Sequence, residues 1–298
     1  MSRIIHSDYL ASIIIPTHCY RQRSILLKRC LNALSHQTLN KECFEVFVVN
    51  NRAAEKDLWD KGLLEFKDQL NLRILHEVQK GSYAARNYGA ALAHGKILAF
   101  LDSDCIPVPG WLKAGLEMLQ KGGPRAVVGG RIKKVGRGEK LNLIEKHEKI
   151  FTLNQRKNVI SGQFAATANL LVYRDFFVEV GPFNSGLLAS GDVEWGYRAR
   201  EKGGKFFYSA QACITHPVVN SISEVVKRYR RKAGGYYSVQ KTTPKALQTE
   251  VYLGFRFLQL KKKKNSMIHP LGILHGMLNI IQRIEIVLCC LGKSQISG

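Results

Sequence analysis

Two aspartates separated by one residue are the most distinctive chemical feature of the sequence. Asp102, Ser103 and Asp104 follow directly after the apolar run 97–101, which predicts a buried strand. Carboxylates at the end of such a strand can share a hard divalent cation and a neighbouring sugar or phosphate oxygen. His216 follows another predicted strand, and its imidazole would suit Mn²⁺ better than Mg²⁺ as a further ligand. A pair of exposed turn carboxylates and a structural histidine are the simpler alternatives.

A second candidate site lies upstream, where Gly81 opens a predicted turn before a helix. Lys80 precedes the glycine, and Arg86 lies one turn into the helix. Free amides at a helix N-terminus attract anions, and an arginine there can reach a phosphate or a base. A solvated arginine near an ordinary helix start is the alternative interpretation.

Asp192 and Glu194 are candidate general bases at the start of the helix predicted at 193–202. A carboxylate at this position is usually a cap, and Glu194 has the four-residue spacing to Arg198 that is typical of a helical salt bridge. The functional interpretation is that Asp192 takes a proton from an acceptor hydroxyl.

The elements that must position these residues alternate along the chain. We expect strands at 12–15, 44–49, 72–75 and 97–101, and helices at 25–34, 55–70 and 83–94, with Ser24 and Gly95 as caps. Further on we expect helices at 111–119, 141–151 and 193–202, and strands at 126–130, 170–173, 206–208 and 212–214. The rhythm is typical of a doubly wound, mostly parallel sheet, which binds ligands at the carboxyl ends of its strands.

The 298 residues suffice for one large α/β domain with an appendage. The net charge of +22 favours anionic partners, namely nucleotide diphosphates, nucleic acid or an acidic membrane surface. Seven cysteines without a Cys-x-x-Cys pair predict reduced thiols rather than a zinc site or a disulfide framework. The N-terminus has no stretch of signal-peptide type, so a cytoplasmic location is expected.

Basic residues become frequent beyond about residue 221, where a boundary is expected. Arg228, Arg230, Arg231 and Lys232 precede a tyrosine pair, and Lys261 to Lys264 precede the apolar stretch 267–291. No window in that stretch has the about 18 uncharged apolar residues of a spanning helix. An amphipathic segment on an anionic leaflet and a helical hairpin packed on the domain are equally compatible with it.

Several blocks in this order together resemble the family 2 glycosyltransferases of GT-A fold, over about residues 11–217. The blocks are 13–17, 48–51, 81–89, 100–104, 181–184 and 192–198. The resemblance implies an α/β GT-A fold whose doubly wound, mostly parallel sheet is flanked by helices. It implies a catalytic domain at 1–220 that binds a nucleotide sugar, and a basic, amphipathic helical extension at 221–298.

The resemblance also implies the reaction. The enzyme would be an inverting, metal-dependent glycosyltransferase that uses a nucleotide-diphosphate sugar, in the first place a UDP sugar, in the synthesis of cell-surface polysaccharide or glycolipid. The acceptor would be a hydroxyl of a glycan or of a lipid-linked sugar, and no nucleic acid partner is expected. Attack by one activated hydroxyl without a covalent intermediate inverts the anomeric centre. A peripheral position on the cytoplasmic face of the membrane is compatible with this role.

Roles of individual residues follow from the same resemblance. The nucleotide-sugar site would contain Pro16, Thr17, Tyr20, Arg21, Asn50, Lys80, Gly81, Arg86, Asp102 and Ser103. Asp104, Asp102 and His216 would hold Mn²⁺ or Mg²⁺. Asp192 would be the base, with Glu194 as the fallback.

Three positions depart from the family pattern. Asn50 replaces the usual aspartate, and its amide can still pair with uracil. Gly191 replaces the glutamate that commonly precedes the base, and Lys80 stands where asparagine is frequent and can add a phosphate contact.

Three other classes of protein were weighed against this interpretation. A nucleic-acid-binding protein would fit the charge, but neither zinc spacing nor an RNP-type aromatic strand supports it. A nucleotidyltransferase would normally have a glycine-rich loop after the first strand, and residues 16–21 contain no glycine. A catalytically inactive, sugar-binding relative is disfavoured because Asp102, Asp104 and Asp192 are all present.

Overall fold

The computed structural model describes residues 9–18, 21–51, 62–136, 138–242 and 270–290. Within them the chain forms one mixed sheet in the order β3-β2-β1-β4-β7-β6-β8-β5. The strands are β1 (Ala11–Thr17), β2 (Phe44–Asn50), β3 (Leu72–His76), β4 (Ile97–Leu101), β5 (Ile106–Pro107), β6 (Ala126–Val135), β7 (Asn169–Tyr173) and β8 (Lys205–Pro217).

Helices cover both faces of this sheet. They are α1 (Arg21–Ser35), α2 (Ser82–Ala91), α3 (Trp111–Gly122), α4 (Leu143–Phe151), α5 (Gln155–Gly162), α6 (Arg174–Val180), α7 (Gly191–Glu201), α8 (Ile222–Thr242) and α9 (Pro270–Cys290). One apolar cluster joins the sheet to α1 and α3. The cluster on the other face joins the sheet to α2, α5, α6 and α7. Burial on both faces explains why β1, β2 and β4 are continuous apolar runs.

The sheet is parallel in its first half and mixed in its second. The pairs β1–β2, β1–β4, β2–β3 and β6–β8 are parallel, whereas β7 runs antiparallel to β4 and β6, and β5 runs antiparallel to β8. The predicted α/β class with a mostly parallel, helix-flanked sheet is therefore confirmed.

Asn169, at the start of β7, holds the second half of the sheet together. Its Oδ1 accepts a hydrogen bond from Nε1 of Trp111 at 2.8 Å, and its Nδ2 donates to the carbonyls of Arg131 and Ala212 at 3.1 and 2.9 Å. The side chain is fully buried, so these three bonds offset the cost of removing its amide from water. They fix β6 and β8 where the register between them shifts near Gly130.

Two of the predicted helix caps are wrong. Ser24 lies inside α1, which begins at Arg21. Helix α2 ends at Ala91 and not at His94, because the chain must turn there to enter β4. Gly95 instead packs against β1, where an added Cβ would lie 2.5 Å from backbone atoms of Ala11 and Ser12.

Three further differences concern element type and extent. Residues 62–70 of the helix predicted at 55–70 form turns and a short 3₁₀ helix, while 52–61 lie outside the described residues. The strands predicted at 206–208 and 212–214 are one strand, β8, because both halves pair with β6 across the shift in register. Helices α5 and α6 and the two-residue strand β5 were not predicted.

The C-terminal helices form a layer against the domain. Val225 and Tyr229 of α8 pack with Leu278 of α9, and Ile144 of α4 joins this cluster. Arg230 and Glu285 tie the two helices by an ion pair of 2.7 Å. No helix among the described residues is both long and apolar enough to cross a bilayer. The division of the chain near residue 220 stays a prediction.

Candidate active site

The carboxyl ends of the first strands bring three candidate residues to one edge of the sheet. Thr17 and Asn50 are register partners on β1 and β2, and Asp102 follows β4 on the other side of β1. The Oγ1 atom of Thr17 is buried and has no hydrogen-bond partner among the described residues. A buried, unsatisfied hydroxyl at a ligand-binding edge is typical of a group that a ligand completes.

Pro16 is buried in β1, which extends two residues beyond the predicted end at residue 15. Tyr20 lies outside the described residues. Arg21 begins α1, and the structure describes only its backbone.

Asn51 builds the turn that precedes α2. Its Oδ1 accepts a hydrogen bond from the amide of Gly81 at 2.6 Å, and its Nδ2 donates to the carbonyls of Glu77 and Gln79. Gly81 has a φ of +116°, which favours glycine. Lys80 is exposed beside it. The turn thus directs the N-terminus of α2 toward the edge where Asn50 lies.

Arg86 is a buried cation between two carboxylates. Its Nη2 lies 2.5 Å from Oδ1 of Asp102. Its charge also lowers the pKa of Asp192, and its guanidinium lies 5.5 Å from the ring centre of Tyr83. The Nε atom of Arg86 has no hydrogen-bond partner within the described part of the chain. Arg86 therefore brings Asp102 and Asp192 to the same place, although 90 residues separate them in sequence.

Asp192 is held at the N-terminus of α7. The hydroxyl of Tyr83 donates to its Oδ1 at 3.3 Å and accepts from its amide at 3.2 Å, and the amide of Val193 donates to Oδ1 at 3.0 Å. Burial raises the pKa of Asp192 above its ordinary value, and Arg86 and these hydrogen bonds oppose the rise. The result is a fixed carboxylate of increased basicity.

Gly191 makes room for this arrangement. A Cβ atom at position 191 would lie 2.7 Å from the ring of Tyr83, closer than real contacts allow. The glutamate that the resemblance leads one to expect here would therefore require the Tyr83 ring to move.

Asp104 and His216 meet through the short strand β5. Pairing of Ile106 with Thr215 carries the turn after β4 across to the end of β8, so that Oδ1 of Asp104 lies 3.7 Å from Nε2 of His216. The buried Cys105 donates to Asp104 at 3.9 Å. Ser103 lies in the same turn, between the two aspartates.

These residues fit a divalent cation. The ligand atoms of Asp104, Cys105 and His216 all lie within 4.8 Å of one another. A carboxylate oxygen and an imidazole nitrogen suit Mn²⁺. Asp102 is oriented by Arg86 instead, so it is the less direct of the predicted ligands.

Glu194 has a structural partner. Its carboxylate binds Arg198 through two bonds of 2.6 and 2.9 Å, and Arg198 also donates to the carbonyls of Val180 and Pro182. The helical salt bridge inferred from their spacing is present. Glu194 is consequently engaged in holding the loop 181–184 on α7.

Helix α8 reaches the same region with its basic and aromatic side chains. Gly235 packs on Ala189, where an added Cβ would lie 2.7 Å from the carbonyl oxygen. Lys232 and Tyr236 are close enough to interact electrostatically with Asp192. Burial, together with Arg228, lowers the pKa of Lys232 to about 8. Lys232 makes no hydrogen bond or ion pair to another described residue.

Asn51, Tyr83 and Asn87 lie within the sequence blocks 48–51 and 81–89, but no role was predicted for them. Asn87 binds the backbone of Phe183 with both ends of its amide, at 2.7 and 2.9 Å. The three side chains join α2 to the loops on either side. A signal was present, since a polar residue beside a glycine turn or on an apolar helix face often bonds to backbone.

Comparisons with known proteins identify the family of the chain. The model for glycosyl transferase family 2 matches residues 12–181. Glycosyltransferase AglE of Haloferax volcanii is 32% identical over 234 residues, which are 76% of this chain and 73% of AglE. The Escherichia coli enzyme WfgD, named UDP-Glc:alpha-D-GlcNAc-diphosphoundecaprenol beta-1,3-glucosyltransferase, is 29% identical over 114 residues, 38% of this chain and 42% of WfgD.

A solved structure shares the fold. The mannosyltransferase PcManGT of Pyrobaculum calidifontis, in complex with GDP-Man and Mn²⁺, superimposes with a TM-score of 0.60 at 13% identity, covering 96% of this chain and 76% of that one. The sheet and its carboxyl edge thus define a glycosyltransferase of GT-A fold. The chain belongs to glycosyltransferase family 2, as the matches over more than half of its length show.

The contact between Gly191 and Tyr83 gives a prediction for stability. Gly191→Ala should lower the free energy of unfolding by about 1–3 kcal/mol, because the Tyr83 ring must move. In a Tyr83→Ala background the same change should cost less than about 0.5 kcal/mol. Urea unfolding of the four proteins of this cycle measures both costs.

Gly110→Ala is the matched control for this cycle, since a Cβ at Gly110 would meet nothing within 4 Å. An equal cost for Gly191→Ala in both backgrounds would contradict the assigned contact.

Proposed function

We propose that this glycosyltransferase inverts the anomeric centre of a nucleotide-diphosphate sugar, with UDP as the preferred nucleotide, and transfers the sugar to a hydroxyl of a glycan or lipid-linked acceptor. The product would be a cell-surface polysaccharide or a glycolipid. One observation carries the proposal: a half-buried carboxylate of raised pKa, Asp192, shares Arg86 with Asp102 at the carboxyl edge of the sheet. The cytoplasmic location stays a prediction of the sequence.

The donor would lie along the edge that runs from β2 to β4. Asn50 would pair with the base, Thr17 would bind through its unsatisfied hydroxyl, and Asp102 would bind near the ribose. The N-terminal amides of α2 and the exposed Lys80 would face the phosphates. The preference for UDP is supported by the pairing capacity of the Asn50 amide and by the UDP-Glc in the name of WfgD.

Asp192 would act as the general base. The ionised carboxylate of Asp192 would accept the proton of the acceptor hydroxyl. At the same time the hydroxyl oxygen of the acceptor would attack the anomeric carbon, and the bond from this carbon to the diphosphate would break. One base and no covalent intermediate invert the centre, in the logic of a single displacement. Tyr83 would keep the carboxylate aimed, because its hydroxyl bonds both the oxygen and the amide of Asp192. Glu194, the fallback base, is less suited to this role because two bonds to Arg198 engage its carboxylate.

Asp104 and His216 would hold the cation, and Asp102 would support them. A bound Mn²⁺ or Mg²⁺ neutralises charge that develops on a departing diphosphate. Lys232 would add a positive charge from α8 at the same place, since it has no anionic partner within hydrogen-bond distance among the described residues. Such fixed cations in a partly buried site stabilise a leaving anion more strongly than they would in water.

Two substitutions separate donor binding from chemistry. Asp104→Ala should abolish transfer and weaken the Mn²⁺-dependent binding of UDP, because a ligand is lost. Asp192→Asn should leave UDP binding unchanged and lower kcat about 10²- to 10⁴-fold, because the base is lost. Calorimetric titration with UDP, with and without Mn²⁺, and product formation from a UDP sugar measure the two effects.

Asp68→Asn, an exposed aspartate that precedes β3 at the amino ends of the parallel strands, is the control for both variants. Wild-type turnover in Asp192→Asn would refute Asp192 as the base. If GDP or dTDP stabilises the protein more than UDP does, the proposed nucleotide preference is wrong.

The Tyr83 hydroxyl also sets a pH dependence. Activity requires ionised Asp192, so it must fall as the pH drops through the pKa of this carboxyl, which burial holds above 3.8. The hydrogen bond from Tyr83 favours the ionised form and lowers that pKa. In Tyr83→Phe the acidic limb of log kcat/KM against pH should therefore move to higher pH.

Tyr88→Phe, on the exposed side of the same helix, should leave the limb in place. A limb that stays fixed or moves to lower pH in Tyr83→Phe would show that another group controls the profile.

Helix α9 supports contact with an anionic membrane surface. Ile273, Met277, Ile280 and Ile284 follow one another at spacings of four, three and four residues, and each exposes more than half of its surface. Such spacing places them on one face. Arg283 is exposed beside this face, and the opposite face packs on α8. Apolar side chains flanked by cations are typical of helices that lie on anionic lipid.

Replacing Met277, Ile280 and Ile284 by serine should lower partitioning onto phosphatidylglycerol vesicles about tenfold or more, since each apolar side chain contributes about 1 kcal/mol. Sedimentation with vesicles measures this effect, and phosphatidylcholine vesicles test the contribution of charge. The control carries serine at Ile25 and Val178, which are equally exposed elsewhere. Equal partitioning of the two variants would contradict membrane contact through α9.

A further inference from the structure

A cationic cavity lies beside the active site and has no part in the mechanism above. It has a volume of about 260 Å³ and opens between the outer half of β6, strand β8 and the connection from α4 to α5. Four of its lining residues are basic, namely Arg131, Lys134, Lys149 and Arg156, and none is acidic. A concentration of one charge sign in a concave site attracts ligands of the opposite sign.

Three of these cations are free to bind. The side chains of Arg131, Lys149 and Arg156 make no hydrogen bond or ion pair to any other described residue, and all three are exposed. The two arginines lie close to the phenol of Tyr208, because both act on its pKa, which burial raises. Guanidinium groups next to a phenol hydroxyl offer several donors to one anionic group.

The fourth cation is part of the cavity wall. Nζ of Lys134 donates to the carbonyls of Glu148 and Thr152 at 2.8 and 2.6 Å and to Oγ1 of Thr152 at 3.1 Å. These three acceptors use all of its hydrogens. The charge is thus fixed in place, and Glu148, the nearest carboxylate, is bound to Arg228.

The backbone around the cavity is also rigid. The Gln155 side chain accepts from the amide of Ala166 at 3.0 Å and donates to the carbonyl of Asn169 at 2.9 Å. Asn169 in turn holds the carbonyl of Arg131 at 3.1 Å. A site built on fixed elements loses little entropy when it binds a ligand.

The position of the cavity separates it from the donor. Lys134 is the register partner of His216, so the cavity lies next to the strand that carries this candidate metal ligand. The proposed nucleotide residues, Thr17 and Asn50, lie further along the sheet on β1 and β2, and strands β4 and β7 separate them from β6. Helices α5 and α7 pack on the same face of the sheet, which places the cavity on the side of Asp192. The arrangement matches an acceptor that extends from the base across β6 and β8.

The geometry points to a subsite for an anionic sugar residue of the acceptor, one that carries a phosphate or a carboxylate group. This inference rests on the proposed function. The volume is below the roughly 300–1000 Å³ of pockets for larger ligands, so it fits one sugar residue rather than a nucleotide sugar. The exposed guanidinium groups of Arg131 and Arg156 would bind the anionic group, and Asn154 and Tyr208 would face the hydroxyls.

The test is calorimetric titration of the full chain at low salt with glucose 6-phosphate, glucuronate and glucose. The two anionic sugars should bind and glucose should not. Arg131→Gln combined with Arg156→Gln should weaken their binding at least about tenfold, because charge-assisted hydrogen bonds are lost. Both side chains are exposed, so the fold should persist. Lys113→Gln with Lys121→Gln, on α3 at the opposite face, is the control and should bind as the wild type does.

Parallel titration with UDP and Mn²⁺ keeps the two proposals apart. The double variant Arg131→Gln, Arg156→Gln should bind UDP as the wild type does. If the wild type itself does not bind UDP, the proposed donor is refuted, but the cavity proposal is not. The subsite is refuted if anionic sugars bind no better than glucose, or if the arginine pair binds them as the wild type does. The subsite is also refuted if the double variant weakens binding to phosphatidylglycerol vesicles but not binding to the anionic sugars, because the cavity would then bind a lipid headgroup.

Discussion

The buried guanidinium of Arg86 is the interaction on which the rest of the site depends. It pairs with Asp102 on one side and acts on Asp192 on the other. A buried cation needs anionic partners, since its desolvation is costly. The need for charge balance therefore ties together three elements that are remote in sequence: α2, the end of β4 and the start of α7.

The order of the strands distributes the proposed tasks along one edge. Parallel strands β1, β2 and β4 end at or directly before the residues proposed for the nucleotide, as expected where ligands bind at carboxyl ends. Antiparallel β7 then separates this half from β6 and β8, which would face the acceptor. The two-residue strand β5 links the halves, because its pairing with β8 brings Asp104 to His216. Asn169 fixes the second half through its bonds to Trp111, Arg131 and Ala212.

The sequence predicted the strands and the ion pair that depend on the pattern of nearby residues. Its predictions failed where contacts between distant parts of the chain determine the structure. Apolar β-branched runs identified β1, β2 and β4, and four-residue spacing identified the pair Glu194–Arg198. The predicted caps at Ser24 and Gly95 were wrong, because α1 already begins at Arg21 and because Gly95 packs against the backbone of β1 after α2 has ended. No local signal indicates that Lys232 lies near Asp192 or that Tyr83 excludes a side chain at Gly191, since both follow from the packing of helices.

The most direct measurement of the central claim is a crystal structure with UDP and Mn²⁺, in which anomalous scattering at the manganese edge locates the cation. The account predicts one strong peak in contact with the carboxylate of Asp104 and Nε2 of His216. The diphosphate would lie on the same ion, and Asp192 would stay outside its ligand shell, open to the acceptor. A manganese peak on Asp192, or UDP bound away from the edge formed by Thr17, Asn50 and Asp102, would contradict the account.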